Sequence, residues 1–482
     1  MKYKPTHPYA MTTYIYSFSF LLIIPIIQQI VFKPDSFYDV IITFWKSIIL
    51  TFIILLWSFL KYRSITYCIA EKKLFIKHGI LLKRDFVIPY ENIYAITIKN
   101  KVSQTFFGAV KLIFNIPAKN KYASLILSNK NALMVVKSIF TSKHKKTIYK
   151  AKMLRIILMS AFWANPLTSL LITIPFVKKT GNVLGQELSE KLYSAVDIRV
   201  ILIAIGISPL IATIIYLLAS AFLITFIIQY FRYSNFKAGI SDDYIFVSHG
   251  LINKNGKIIK KSVINAVSIN QTLLMRILKL YNAYIHTVNF IKNENDKTLL
   301  IAASKKEQLV YDLEKLVPIK IINSKKFKPA KKTLKKFIFA PGICFFLLIF
   351  FMCRLKEEIW YTQIIALFLK LIMVFLLWWF FFRVQAYKIS GISFSENVVK
   401  ICGYKKLNLF SSYIPIKKIQ SIEIRRTPFQ RVENLASIKI YIFSEEENYF
   451  SCNHLKYEYV KNFVESVESV CDFQGVIVSK LD

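Results

Sequence analysis

The chain has no C-x-x-C pair, and its six cysteines, Cys68, Cys344, Cys353, Cys402, Cys452 and Cys471, are scattered. That spacing argues against a zinc ribbon and a disulfide framework. G-x-x-x-x-G-K-[ST], H-E-x-x-H, G-x-S-x-G and the kinase set are all missing, so no common catalytic site has a linear signature. The six histidines lack ligand spacing. No metal, cofactor or catalytic residue is assigned, and the chain is not expected to be an enzyme. Acidic residues are few: 28 against 66 Lys and Arg, a formal net charge of +38. None falls in the long apolar runs. That counts against a proton- or cation-coupled transporter, which needs intramembrane carboxylates.

What is present is apolar and basic at once: 55% hydrophobic and 15% aromatic residues in 482. This pairing fits segments inside a bilayer beside basic segments on anionic lipid. Six spans are expected, Met11–Phe32, Val40–Leu60, Met153–Val177, Ile198–Phe231, Phe337–Cys353 and Trp360–Phe382, from the length an apolar helix needs. They pair into hairpins at 11–60, 153–231 and 337–382. Between and after them lie 61–152, 232–336 and 383–482, with 19, 21 and 14 Lys and Arg against 3, 7 and 11 Asp and Glu. The positive-inside rule puts these segments and both termini in the cytoplasm. The first span lacks a small-residue cleavage site and reads as a retained anchor.

The phrase LFIKHGIL, Leu74–Leu81, nearly recurs as IFVSHGLI, Ile245–Ile252, and more loosely as VVKICGYK, Val398–Lys405. Each follows a hairpin, so the unit is two spans plus one soluble domain, three times. Gly79, Gly250 and Gly403 are expected where the chain reverses. His78 and His249 read as polar turn residues. Alternating strands follow, such as NIYAITIKN and KIQSIEIRR. Each unit closes with an amphipathic helix. Ser128 and Ser304 are expected N-caps. The expected buried faces are Ala132, Leu133, Val136, Ile139 and Phe140; Leu309, Val310, Leu313, Leu316 and Val317; and Phe463, Val464, Val467, Val470 and Cys471. The fold class is therefore an α+β membrane protein. Its six transmembrane helices form three hairpins, each followed by a cytosolic antiparallel β-barrel or sheet with one C-terminal capping helix. The soluble units are 61–152, 232–320 and 383–482, with a polybasic juxtamembrane segment at 321–336.

This order resembles a pleckstrin-homology-like (PH-like) barrel. With the segment IPIKKIQSIEIRRTPFQRVENLASIKIYI, Ile414–Ile442, the chain resembles the YdbT family, bacterial membrane proteins with repeated bacterial PH-like domains between paired spans. Gln420, Pro428, Gln430 and Arg431 stand in the family pattern. Unit one keeps Gln104 and Gly108 but lacks the arginine and proline, and unit two keeps Arg276. The resemblance implies a non-catalytic role in the bacterial cytoplasmic membrane, a link to antimicrobial-peptide tolerance, and a smaller companion PH-like membrane protein. Gln104, Arg276, Gln430 and Arg431 are the ligand or partner candidates.

Two lysine runs precede spans: Lys143, Lys145, Lys146, Lys150 and Lys152, and then Lys325, Lys326, Lys328, Lys331, Lys332, Lys335 and Lys336, with Lys320 upstream. Each basic residue beside an anionic leaflet contributes about 1 kcal/mol, so these are lipid-binding candidates; the same lysines also set topology. The third unit precedes no span and is acidic, so its Glu445–Glu447 run is a docking candidate for a basic unit or partner. The charge flanks spans, which argues against nucleic acid. Lys46, Arg155 and Arg199 are expected to snorkel from span ends, and Pro166 and Pro209 to kink spans. Lys370 falls near the middle of the sixth span, where a cation faces a bundle interior, a cavity or a partner dipole. It motivates the alternative reading, a transporter or exporter subunit for a peptide or lipid. The favoured reading is a protein that organises or protects the membrane through anionic-lipid and protein contacts.

Overall fold

The computed structural model describes residues 3–18, 21, 37–116, 124–141, 146–163, 198–206, 209–288, 297–319, 327–354, 360–395, 397–443, 449–470 and 477–480. A two-residue strand β1 (Lys4–Pro5) precedes helices α1 (Ala10–Phe18) and α2 (Phe37–Arg63). The chain returns as β2 (Thr66–Ala70), β3 (Lys73–His78) and β4 (Arg84–Pro89), and β1 pairs with β2. A second set follows: β5 (Ala95–Asn100), the short helix α3 (Val102–Phe106), β6 (Ala109–Asn115), β7 (Ser124–Ser128), and the capping helix α4 (Asn129–Ile139).

The order then repeats. The second copy has β8 (Lys146–Lys150), helices α5 (Met153–Trp163), α6 (Arg199–Ala204) and α7 (Pro209–Tyr233), and strands β9 (Lys237–Ile240), β10 (Tyr244–His249) and β11 (Lys254–Lys260). It continues with β12 (Ile264–Gln271), α8 (Leu273–Ile277), β13 (Leu280–Thr287), β14 (Lys297–Lys305) and α9 (Lys306–Leu316). The third copy has α10 (Leu334–Arg354), α11 (Trp360–Ile389), β15 (Gly391–Ser395), β16 (Val398–Lys405) and β17 (Asn408–Pro415). After it come β18 (Ile419–Arg425), α12 (Pro428–Val432), β19 (Leu435–Ile442), β20 (Tyr449–Lys456), α13 (Tyr457–Val470) and β21 (Ile477–Lys480).

The segment before each helical stretch neighbours the strand that follows it. β1 pairs with β2, β8 adjoins β9, and Phe327 bridges to Ile392 in β15. Among the described residues four segments are long and apolar enough to cross a bilayer: Phe44–Arg63, Ile215–Tyr233, Lys331–Arg354 and Phe368–Ile389. The expected first and third spans lie largely outside the described residues, as do Pro166 and Cys471. Pro209 does not kink a helix. It begins α7, where its missing N–H costs nothing.

The repeats do not form separate sheets. β5 pairs antiparallel with β11 of the next copy, and β12 with β17 of the one after. The chain accordingly divides into two compact units, 1–147 with 231–262 and 289–294, and 148–230 with 263–288 and 295–482. The division falls between β11 and β12, inside the second repeat. In the first unit, Leu74, Ile76 and Ile88 of one sheet face Ile96, Leu112, Phe114 and Leu127 of the other, and α4 covers them with Ala132, Val135, Val136 and Ile139. Tyr244 and Ile258 of the next copy join this core. In the second unit, Val399, Ile401 and Ile414 pack with Ile422, Ile438 and Ile440 under Val460, Phe463, Val464 and Val467 of α13.

The capping helices follow the expected period with local differences. Ser128 caps α4, its side chain accepting from the Asn131 N–H, but Leu133 is exposed and Val135 takes its place in the core. Ser304 is buried in β14, and Lys305 occupies the N-cap of α9. Val310 is half-buried, while Asp312 is buried.

Gly79 and Gly250 do reverse the chain, at φ +123° and +106°, and a Cβ at either would collide with the carbonyl three residues on. Gly403 does not. Lys73, Tyr244 and Val398 pair with Pro89, Lys260 and Pro415, so Gly403 stands at the position of His78 and His249. It lies inside β16, where the Ser451 carbonyl leaves no room for a Cβ. The third hairpin turns later, at Lys406 with φ +56°. His249 is held by its turn: Nδ1 lies 2.9 Å from the Arg232 carbonyl and the ring stacks on Tyr233 and Phe236. Burial lowers its pKa.

Phe463→Ala should cost about 3–5 kcal/mol of stability, because this side chain is 2% exposed at the centre of the α13 face. Thermal unfolding of the full chain in detergent reads this as a lower midpoint; an unchanged midpoint contradicts the packing described.

Candidate membrane-interface site

The shared strand registers align three short helices residue by residue. Each follows a strand at the same offset: Lys101, Thr272 and Thr427 are the N-caps of α3, α8 and α12. The turns close on Gly108, Lys279 and Asn434, all at positive φ (66°, 54° and 52°). Gln104 and Gln430 occupy the third helical position, and both are buried. The Lys101 N–H donates to Gln104 Oε1 at 3.0 Å, and the Thr427 N–H to Gln430 Oε1 at 3.1 Å. Gln430 Nε2 also donates to Ser437 Oγ at 2.9 Å and His454 Nδ1 at 3.0 Å. These amides are engaged in building the turn.

The outer surface of each turn is apolar. Phe106, Ile277 and Val432 occupy equivalent positions and are 84%, 67% and 87% exposed. Leu274 and Phe429 share a second exposed position, and Phe107 and Leu278 are exposed beside the first two turns. Each turn lies against the root of an apolar helix. Tyr9, just before α1, has its hydroxyl 2.7 Å from Ser103 Oγ and its ring beside Phe107. Leu273 packs with Phe337, Phe382 and Ala386, and Arg276 Nε donates to Gln385 of α11 at 2.8 Å. Glu433, just past α12, pairs with Lys336 of α10 at 3.0 Å.

The β10–β11 turn is equally placed. Its Gly250 and Leu251 N–H groups donate to the Ser234 and Phe231 carbonyls at the end of α7. Leu251 and Ile252 there, and Leu81 and Leu82 in the β3–β4 turn, are exposed.

Lys146, Lys150, Lys152, Lys328, Lys331, Lys332, Lys335 and Arg431 are exposed, while Arg276 and Lys336 are half-buried in the contacts above. Lys143, Lys145, Lys320, Lys325, Lys326 and Glu445–Glu447 lie outside the described residues. Lys335 opens onto a groove along α10 lined by Ile338, Phe339, Gly342, Ile343, Phe346 and Leu347. Arg155 departs from expectation: its guanidinium donates to Ser304 Oγ at 3.0 Å and Gln308 Oε1 at 2.6 Å. Arg199 lies over the Tyr216 ring, and Lys46 is exposed. Lys370 is exposed on α11, ten residues after the helix begins at Trp360.

In the third repeat the helix roots form an aromatic and cationic collar. Phe337, 1% exposed, meets Tyr387, Tyr404 and His454 with ring centroids 5.3–6.0 Å away. The Arg383 guanidinium covers the Tyr404 ring at 4.8 Å. Burial, then Lys336 and Arg383, push His454 down to about 4. Among the described residues no group of three or more His, Cys, Asp or Glu could hold a metal, and the five cysteines there form no disulfide.

Sequence reasoning found the loop through Gln104, Arg276, Gln430 and Arg431 but missed its exposed apolar crest. The signal was the recurrence of an apolar residue two positions after each of Gln104, Met275 and Gln430.

Because His454 is neutral in the folded chain down to about pH 4 but titrates near 6.5 when unfolded, its contribution to stability is intact above pH 6.5. It is lost as pH falls toward 4. His454→Asn, which tolerates the residue's φ of +60°, should flatten the fall in thermal midpoint between pH 6.5 and 4. An identical fall in both proteins contradicts the assignment.

Neither curated proteins nor solved structures match the chain. The family model described as "Bacterial PH domain" matches it three times, over residues 20–140, 170–315 and 346–462. These matches cover most of the sequence and coincide with the three copies of the strand order, so the chain belongs to the bacterial PH domain family.

Proposed function

We propose that this is a non-enzymatic, multi-pass protein of the cytoplasmic membrane that seats its PH domains on the anionic inner leaflet. The observation that carries this reading is the exposed apolar crest, Phe106, Ile277 and Val432, recurring beside the roots of apolar helices. Moving one such side chain from water to an apolar boundary contributes about 1.5–3 kcal/mol, and each nearby lysine adds about 1 kcal/mol on anionic lipid. The pairing of β1 with β2, the adjacency of β8 and β9, and the bridge from Phe327 to Ile392 support three hairpins, since each pair brings the start and finish of a hairpin together. Six spans with both termini inside follow from that arrangement and the positive-inside rule.

The finer reading is a YdbT-like protein that organises or protects the membrane, with antimicrobial-peptide tolerance as its physiological role and a smaller PH-like membrane protein as companion. The transporter alternative rests on the repeated span pairs and on Lys370, which is exposed on α11.

The test places an environment-sensitive fluorophore on Phe106→Cys, Ile277→Cys or Val432→Cys in the full chain carrying Cys344→Ser, Cys353→Ser and Cys471→Ser. The vesicles contain phosphatidylglycerol. Blue-shifted emission quenched by shallow spin-labelled lipid is expected at all three positions. Lys72→Cys, at the far end of β3 from the Gly79 turn, should remain water-like. Water-like emission at all four positions contradicts the proposal.

A further inference from the structure

The two internal junctions obey one rule, and the first and third copies are left with its two halves. At each junction the first strand of one copy's second set covers the third strand of the next copy's first set. Both junctions are antiparallel and in the same register: Ile258 opposes Ile96, and Tyr413 opposes Val267. Ile258 and Tyr413 are equivalent residues, two before the end of their strands, and they are 7% and 4% exposed.

Val87 is the same residue in the first copy. There β4 ends its sheet among the described residues. Val87 is 51% exposed. One position is thus apolar three times in the sequence and covered only where an earlier copy supplies a strand. An edge of this kind presents a row of unpaired N–H and C=O groups and a half-covered apolar side chain, the features that recruit an added strand.

The other half of the rule sits at the far end. β18 is the equivalent of β5 and β12. It is covered instead by β21, which runs parallel and sets Val478 opposite Ile422. Ile422 aligns with Ile96 and Val267.

We propose that β4 of one molecule docks on β18 of a second copy of this chain, displacing β21, so that copies join head to tail through the same junction used twice inside each. A second copy is the occupant because one chain carries both complementary ends, one exposed and one under a substitute strand. A contact between different patches of identical molecules adds copies without closing in pairs. The shared register sets Val87 opposite Ile422 and Arg84 opposite Arg425. The two arginines are both exposed, so their repulsion is screened.

The experiment uses the full chain in native membranes, carrying Cys344→Ser, Cys353→Ser and Cys471→Ser. Arg84→Cys with Arg425→Cys should give a ladder of disulfide-linked copies under mild oxidation, because opposed residues of antiparallel strands lie within disulfide reach. Co-expressing the two single-cysteine chains should stop the ladder at the dimer. Adding Val87→Lys should remove it, and deleting residues 477–482 should raise its yield at least about twofold. No linked copies from a chain that elutes folded overturns the proposal. So do equal yields from the off-register pair Arg84→Cys with Ser421→Cys, or a bond formed only to a different protein.

Discussion

A β-strand leaves half of its backbone polar groups facing sideways, and every edge must meet another strand, water or a cover. That requirement organises this chain. A single copy of the repeat has an edge at β4, β11 or β17 and another at β5, β12 or β18. Setting one copy's edge on the next copy's edge satisfies both, and it buries Ile258 and Tyr413 as a consequence. The compact units therefore cut through the second repeat rather than between repeats.

The same economy appears where the chain meets its apolar helices. A helical stretch inserted between neighbouring strands can change length without disturbing the sheet, because both of its ends are tied at one place. The short helices between the first and second strands of each second set lie against the helix roots. Their inward positions are spent on closing the turn, through Gln104 and Gln430, and their outward positions are apolar. A soluble protein has little reason to hold phenylalanine or isoleucine exposed at the same place three times. Beside apolar helices and lysines, such residues have a destination. In the third copy the polar partners of this turn extend into a collar where Lys336, Arg383 and His454 share a buried aromatic setting. Burial, and after it the charges of Lys336 and Arg383, lower the histidine's pKa to about 4.

Much of this was legible in residue order. The 3.6-residue period located α4, α9 and α13, and strand alternation located β5 and β18. Their errors have local causes: Leu133 and Val135 exchange places because the cover of a twisted sheet is narrow, and Ser304 belongs to a strand that runs one residue past it, to Lys305. The CG phrase of the third copy misled because a matching dipeptide is weaker than a register. The pairing of Val398 with Pro415 moves Gly403 off the turn and into the strand. What the residue order hides is pairing between copies. A strand's alternation shows which face is buried, but the identity of the neighbour at its edge depends on backbone groups that every residue carries alike. Val87, Ile258 and Tyr413 look equally like core residues in sequence, and only the strand order separates the uncovered one from the other two.

The account stands on the continuity of sheets across repeats, and a disulfide inside one chain tests it most directly. Thr97 and Lys257 oppose each other across the first junction although 160 positions separate them in sequence. The full-length chain with Thr97→Cys and Lys257→Cys, in native membranes and with Cys344→Ser, Cys353→Ser and Cys471→Ser, should form this bond within one molecule under mild oxidation. It should appear as a shift in mobility that reductant reverses. A chain that folds yet leaves both thiols free to alkylation contradicts the shared sheet.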